Sequence, residues 1–240
     1  MKTSRFPTSR FPRTTLALAL ATGSFLVTAS ASATPETCVT IRRGELGNVV
    51  DTFLSGDYPN WAPGTDQSLF IGLSSAGNVN KAMYNFDLSP LPAGAAITSA
   101  NFTLYISWNE SPHTVTVHQV LQPWAELTAT TANFNTTNGI DQIPVGSFSG
   151  WGYKTINITN LVTAWVNGQA PAYGIMLQEP LSTHGTYSSE SSMSVRPYLR
   201  VCYTQNADQD GDGLADTADN CPAAANANQL NTDGDGAGDA

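Results

Sequence analysis

Residues 101–107, "NFTLYIS", place Phe102, Leu104 and Ile106 on one side of an extended chain and Thr103 and Tyr105 on the other. Such a period-two alternation of aromatic and β-branched residues predicts a strand with one face in a core and one at the surface. The same pattern recurs on either side. Residues 114–118, "TVTVH", set Val115 and Val117 against Thr114, Thr116 and His118, which reads His118 as a solvated surface residue. Residues 197–203, "PYLRVCY", set Leu199, Val201 and Tyr203 against Tyr198, Arg200 and Cys202. "SLFIG", "KAMYNFDL", "KTINI" and "YGIMLQ" add further strands, separated by Gly, Pro, Asn and Ser. Short strands at close spacing predict an all-β chain, a jelly-roll-like antiparallel β-sandwich of about eight to ten strands.

One segment departs from period two. "NITNLVTAWVNG", residues 157–168, carries Leu161, Val162, Trp165 and Val166 at helical spacing. Thr159 or Asn160 is positioned to cap the start and Gly168 to close the end of a short helix. Such a helix would lie across one open end of the sandwich, with Trp165 plugging the core.

Cysteine placement tests the strand assignment. In "CVTIR", residues 38–42, inward Val39 and Ile41 leave Cys38 facing out, and Cys202 also falls on the outward side of its own strand. If the first and last strands are neighbours, Cys38 and Cys202 can form a disulfide on the outer surface.

The N-terminus reads as an export signal. Lys2, Arg5, Arg10 and Arg13 precede an apolar run from Leu16 to Val27, and Ala31-Ser32-Ala33 supplies a small-residue cleavage site. The run is too short for a stable membrane span. Residues 1–33 are thus expected to be a signal peptide, leaving a body over 34–204 and a tail over 205–240, secreted or at the cell surface and without membrane insertion. The chain carries a formal charge of −9. Eight of its acids and no Lys or Arg lie in residues 205–240. Nothing provides the clustered cations that a nucleic-acid backbone requires.

The stretches "AMYNFDLSPLPAGAAITSANFTLYI", "VLQPWAELTATTANF", "INITNLVTAWVNGQAPAYGIML" and the run from "SSES" to "RPYLRVCYT" together resemble the DNRLRE domain. This family is also classed as carbohydrate-binding module family 96. The resemblance runs from about Asp51 to Thr204. It implies a jelly roll and a polysaccharide ligand, with acidic glycans such as alginate among those recorded for the family. Two positions depart from its pattern. Ser189-Glu190 stands where many relatives carry Ser-Arg-Glu, and no arginine precedes Phe86 in "MYNFD".

Sugars are held by flat aromatic faces with polar groups at the rim. Trp124 and Trp165, beside apolar neighbours, are assigned to the core. Tyr58 and Trp61 in "GDYPNWAPG", Trp108 in "SWNESP", and Trp151 with Tyr153 and Lys154 in "SGWGYK" are the candidate carbohydrate contacts. Lys81, Lys154 and Arg196 are the cations placed to meet an acidic glycan. Catalysis has no comparable signal. His113, His118 and His184, with Glu110, Glu126, Glu179 and Glu190, fall in no spacing that pairs a nucleophile with a base or gathers metal ligands.

The tail binds calcium on this reading. Asp208, Asp210, Asp212, Gly213, Asp216 and Asp219 fall at loop positions 1, 3, 5, 6, 9 and 12, with the Leu214 carbonyl at 7. All-oxygen ligation suits calcium, with Kd of about 10⁻⁴–10⁻³ M for extracellular sites of this kind. Asn231, Asp233, Asp235, the Ala237 carbonyl and Asp239 begin a second such loop. "NCPAAANANQL" between them forms no amphipathic helix, which separates the tail from an EF-hand. The order of aspartates, Asn-Cys-Pro, Asn and Gln, then "DGDGAGDA" resembles the thrombospondin type 3 repeat. That resemblance implies a partner for Cys221 in a cysteine following residue 240.

The sequence thus predicts a secreted, non-catalytic polysaccharide-binding module with a calcium-stiffened stalk, serving surface or matrix adhesion. The alternatives are a structural spacer or cap that binds no sugar and, with less support, a glycan-active lyase or hydrolase.

Overall fold

The computed structural model describes residues 35–92, 94–109, 113–205, 210–214, 216, 219–235 and 238–239. The proposed signal peptide, Glu110, Asp208 and Ala237 lie outside them. Among these described residues eleven strands and one helix follow in order: β1 (Glu36–Ile41), β2 (Val49–Leu54), β3 (Ser68–Leu73), β4 (Val79–Phe86), β5 (Ala95–Asn109) and β6 (Val115–Gln119), then β7 (Gly146–Phe148), β8 (Gly152–Asn157), α1 (Thr159–Val166), β9 (Ile175–Gln178), β10 (Thr183–Tyr187) and β11 (Tyr198–Gln205). The strands slightly exceed the number expected from the sequence, because the short β7 has no alternating pattern to reveal it.

All the strand pairings are antiparallel, and they form one curled sheet ordered β1-β11-β5-β10-β3-β4-β9-β6-β7, with β8 on β5 and β2 on β4. β5 organises one half: β11 and β8 pair along its length, and β10 joins its last residues. β4 carries the sheet into the other half, pairing with β3 only at Gly72–Asn80 and Leu73–Val79 and with β2 and β9 further on. The halves close over one core. Phe102, Leu104, Ile106, Leu199 and Val201 from the first half pack with Tyr84, Phe86, Val117, Ile175 and Leu177 from the second. Phe102 bridges them, its ring centroid 4.9 Å from Tyr84 and 5.3 Å from Phe86. This is the jelly-roll-like sandwich that the alternating segments predict.

A second apolar cluster lies outside it. Leu54, Met83 and Met176 pack with Val120, Ala129, Phe134 and Ile140, and Trp124 rests against this group with its indole N–H donated to the Tyr173 carbonyl at 2.8 Å. The segment 121–140 is therefore a cover on the outer side of β2, β4 and β9, and Trp124 belongs to that satellite cluster, not to the main core. The helix matches its predicted span, and Trp165 is buried against Phe86. Its N-cap is Ile158, with no side-chain cap, which corrects the expected role of Thr159 or Asn160. Thr159 instead accepts the Ala100 N–H, tying the helix to β5. Gly168 does close the helix, with φ of +65° and its N–H on the Trp165 carbonyl.

Cys38 stands opposite Cys202 across β1 and β11, and the two are joined by a disulfide. Cys202 is covered, although its neighbours Leu199 and Val201 are the residues that enter the core. The bond links positions 164 residues apart and so restricts almost the whole body in the unfolded chain. Replacing both cysteines with alanine is expected to lower stability by about 3–5 kcal/mol, read as a lower urea midpoint in tryptophan fluorescence.

Candidate functional site

β10 places Gly185 between Phe70 of β3 and Trp108 of β5 in register, on the outer face of the sheet. Gly185 puts no side chain of its own between the two rings, and a Cβ there would meet Ser107 Oγ at 3.2 Å. Trp108 reaches this face through a bulge. Ile106 pairs with Thr186 and is buried, the register then shifts, and Trp108 pairs with Gly185 and is half exposed. Uninterrupted alternation would have sent Trp108 into the core with Ile106.

The loop after β2 supplies the other wall. Trp61 and Phe70 each meet Phe53 edge-on at 5.4 Å, and Tyr58 lies against Trp61 at 6.1 Å. Phe53 belongs to the main core, so these exposed rings rest on a rigid base. The result is a cleft of about 410 Å³ lined by Tyr58, Trp61, Phe70 and Trp108, with Asp57, Ser74, Asn80 and Thr183 as polar groups. Asp57 is itself held, accepting from Ser74 Oγ at 2.8 Å and Asn78 Nδ2 at 2.9 Å. Asn80 Oδ1 accepts the Gly56 N–H at 3.0 Å and so fixes the loop that carries Tyr58.

The structure therefore brings together Tyr58, Trp61 and Trp108 of the sequence-predicted contacts. Trp151 and Tyr153 belong to a separate surface. Tyr153 lies on β8, packs edge-on against Tyr105 at 4.8 Å and donates its hydroxyl to the Ser194 carbonyl. Trp151 is 74% exposed at the start of that strand. Lys154 is opposite Leu104 in register, on the alternate face from Tyr153. Lys81 stands opposite Leu54, and burial lowers its pKa. Arg196 donates to the carbonyls of Ser191 and Arg43. None of these three cations lines the cleft, whose charged residue is Asp57. The two positions that depart from the family pattern also lie elsewhere: Ser189 is buried, and Asn85 bonds its own neighbour Phe86.

In the tail, Asp210, Asp212 and Asp219 bring carboxylate oxygens within 4.8 Å of one another. Sequence spacing predicted their convergence. It did not reveal the amides that support them. Asp212 accepts the Asn226 N–H at 2.8 Å, Asp219 accepts Gln229 Nε2 at 2.8 Å, and Asn226 Nδ2 donates to Asn220 at 2.7 Å. These Asn and Gln residues thus fasten the first acidic loop to the chain beyond it. Asp216 is among the described residues, and the Leu214 N–H bonds Asp212. In the second loop Asn231 accepts the Gly234 N–H, Asp233 the Asp235 N–H, and Asp239 the Thr232 N–H. The Cys221 thiol is free and donates to the Gly238 carbonyl.

The model of carbohydrate-binding module family 96 matches residues 45–203, more than half of the chain. The chain belongs to that family. A thrombospondin type 3 repeat matches residues 201–229, where the acidic loop lies, and supports calcium binding there. No curated protein matches the chain. Among the described residues, no helix is long and apolar enough to cross a membrane.

Two arrangements in this family 96 module escaped the sequence reading. Ser182 Oγ lies 3.1 Å from His184 Nε2 and 3.0 Å from Glu179 Oε2, with all three residues buried. The grouping resembles a hydrolytic triad in composition, but a relay needs the carboxylate on the far nitrogen of the imidazole. Here Glu179 addresses the serine and accepts the N–H groups of Leu181 and Ser182, so it holds a turn. His118 is buried too, which corrects its expected exposure. Its Nδ1 lies 2.9 Å from the Asp141 carbonyl and its Nε2 2.9 Å from Thr116 Oγ1, because the segment after residue 140 folds over that face.

Chelation of calcium is expected to expand the tail through carboxylate repulsion, read as a larger hydrodynamic radius of the full chain. Asp212→Asn is expected to weaken that calcium-dependent compaction by roughly tenfold in midpoint concentration.

Proposed function

We propose that this protein is a secreted, non-catalytic polysaccharide-binding module whose ligand lies in the Tyr58–Trp61–Trp108 cleft. The observation that carries this reading is the grouping of exposed rings over a rigid apolar base, with polar side chains at their rim. Aromatic faces cover the C–H surfaces of a pyranose, and Asp57, Ser74, Asn80 and Thr183 offer hydrogen bonds to its hydroxyls. Family membership supports carbohydrate as the ligand class. The cleft's charge favours a neutral chain over the acidic glycan implied by the sequence resemblance, since a uronate carboxylate would approach Asp57 without a Lys or Arg among the lining residues.

In this reading residues 34–204 form the sugar-binding body, and residues 205–240 form a calcium-bound stalk that holds it out from a surface or within a matrix. Residues 1–33 are removed on export.

Native gels containing a neutral glucan, pectin or alginate test the assignment. The full chain is expected to be retarded by the neutral glucan. Trp61→Ala and Trp108→Ala should each raise the dissociation constant by about tenfold, as expected for loss of about 1.4 kcal/mol of ring contact. Trp151→Ala should leave it within about twofold. Retardation by alginate alone would overturn the neutral-chain reading. Unchanged mobility in every gel would favour a structural spacer.

A further inference from the structure

The outer face of the sheet carries aromatic rings beyond the cleft. Tyr105 of β5 stands opposite Tyr153 of β8 in register, and their rings meet edge-on at 4.8 Å. On its other side Tyr105 meets Tyr187 of β10, with 5.7 Å between centroids and 35° between planes. Tyr187 in turn stands opposite Ser68 of β3. Tyr153, Tyr105, Tyr187 and Ser68 thus lie side by side on four neighbouring strands. At the usual strand spacing such a row is about 14 Å across.

β10 joins this row to the cleft. Strand alternation puts Thr183, Gly185 and Tyr187 on one face, with the buried His184 and Thr186 on the other. Thr183 lines the cleft, Gly185 lies between Phe70 and Trp108, and Tyr187 opens the tyrosine row. A side chain at position 185 would rise at this crossing, its Cβ 3.6 Å from that of Trp108. Glycine keeps the passage low. At the far end the Tyr153 hydroxyl donates to the Ser194 carbonyl at 2.6 Å, so that ring is held and the turn at Ser192–Val195 borders the row. None of Tyr153, Tyr105, Tyr187, Ser68 and Gly185 carries a charge.

We propose, on the reading of the cleft as a sugar site, that Tyr187, Tyr105 and Tyr153 form further sugar subsites continuous with it across Gly185. The ligand is then an internal segment of a neutral polysaccharide, longer than the cleft alone can hold. Aromatic rings recognise the C–H faces of sugars, and the small angle between Tyr105 and Tyr187 lets consecutive units meet both in similar orientations. Tyrosine adds a hydroxyl at the edge of each ring, and Ser68 adds another beside Tyr187. A chain leaving the cleft over Gly185 needs no free end, which separates this arrangement from a pocket that caps a terminus. The uncharged row extends the preference for a neutral chain that Asp57 imposes in the cleft.

Titration calorimetry of the full chain with a trisaccharide and an octasaccharide of the neutral glucan tests this. The octasaccharide is expected to bind about tenfold more tightly than the trisaccharide. Tyr187→Ala and Tyr105→Ala should each raise the octasaccharide dissociation constant by about tenfold and leave that of the trisaccharide within about twofold. Trp108→Ala should weaken both. Tyr153 is 56% exposed, so Tyr153→Ala keeps the test decisive if either of the other tyrosine variants fails to fold. It should raise the octasaccharide constant by about threefold or more. Equal affinity for the two lengths, or an octasaccharide constant unchanged in Tyr153→Ala, overturns the extension. If that binding still requires Trp108, the cleft keeps its assignment. Binding of neither oligosaccharide overturns both.

Discussion

Burial of the inward row of β5 is the constraint on which the rest of the body depends. Phe102, Leu104 and Ile106 are almost wholly removed from water. Each such side chain contributes about 1.5–3 kcal/mol when fully buried. That burial requires a facing layer, and the other half of the curled sheet supplies Tyr84 and Phe86 from β4 to meet Phe102. It also requires closure along the edges, which β11, β8 and β10 provide by pairing with successive parts of β5. The disulfide then secures β1 to β11 on the outer side, away from the contacts it protects.

The cleft is a consequence of the same strand. Inward burial of Ala100, Phe102, Leu104 and Ile106 directs Tyr105 outward, and the bulge opposite Gly185 releases Trp108 from the inward series. The outer face thereby acquires aromatic rings without cost to the core. Those on the Trp108 side join Phe70, Trp61 and Tyr58 over Phe53, whereas Tyr105 and Tyr153 form a more self-contained pair. The proposed sugar cleft and the core are therefore two faces of one sheet. A core substitution at Phe53 would disturb both.

The acidic residues divide in a comparable way. Those of the tail are held by short-range turns and by the amides of Asn226 and Gln229, in a segment with little apolar surface to bury. Such a segment depends on ligands for its order. Asp51, Glu126 and Glu190 are instead brought together by the tertiary fold, with Arg43 paired to both glutamates.

Local periodicity made much of this protein legible in advance. Phe102, Leu104 and Ile106 announced a strand, Leu161 and Trp165 a helix, and the parity of Cys38 and Cys202 a disulfide between neighbouring strands. The phase of Asp210, Asp212 and Asp219 likewise announced that their carboxylates converge, because each signal is carried by residues close in sequence. The joining of Trp61 to Trp108, the exclusion of Lys154 from their cleft, the burial of His118 and the meeting of Asp51 with Glu126 and Glu190 were decided only in three dimensions. Those outcomes turn on a one-residue bulge, on the way segment 121–140 folds over β4 and on strands brought together from opposite ends of the chain. A shift of one residue inverts which face a side chain occupies, and no local pattern records where distant segments come to rest.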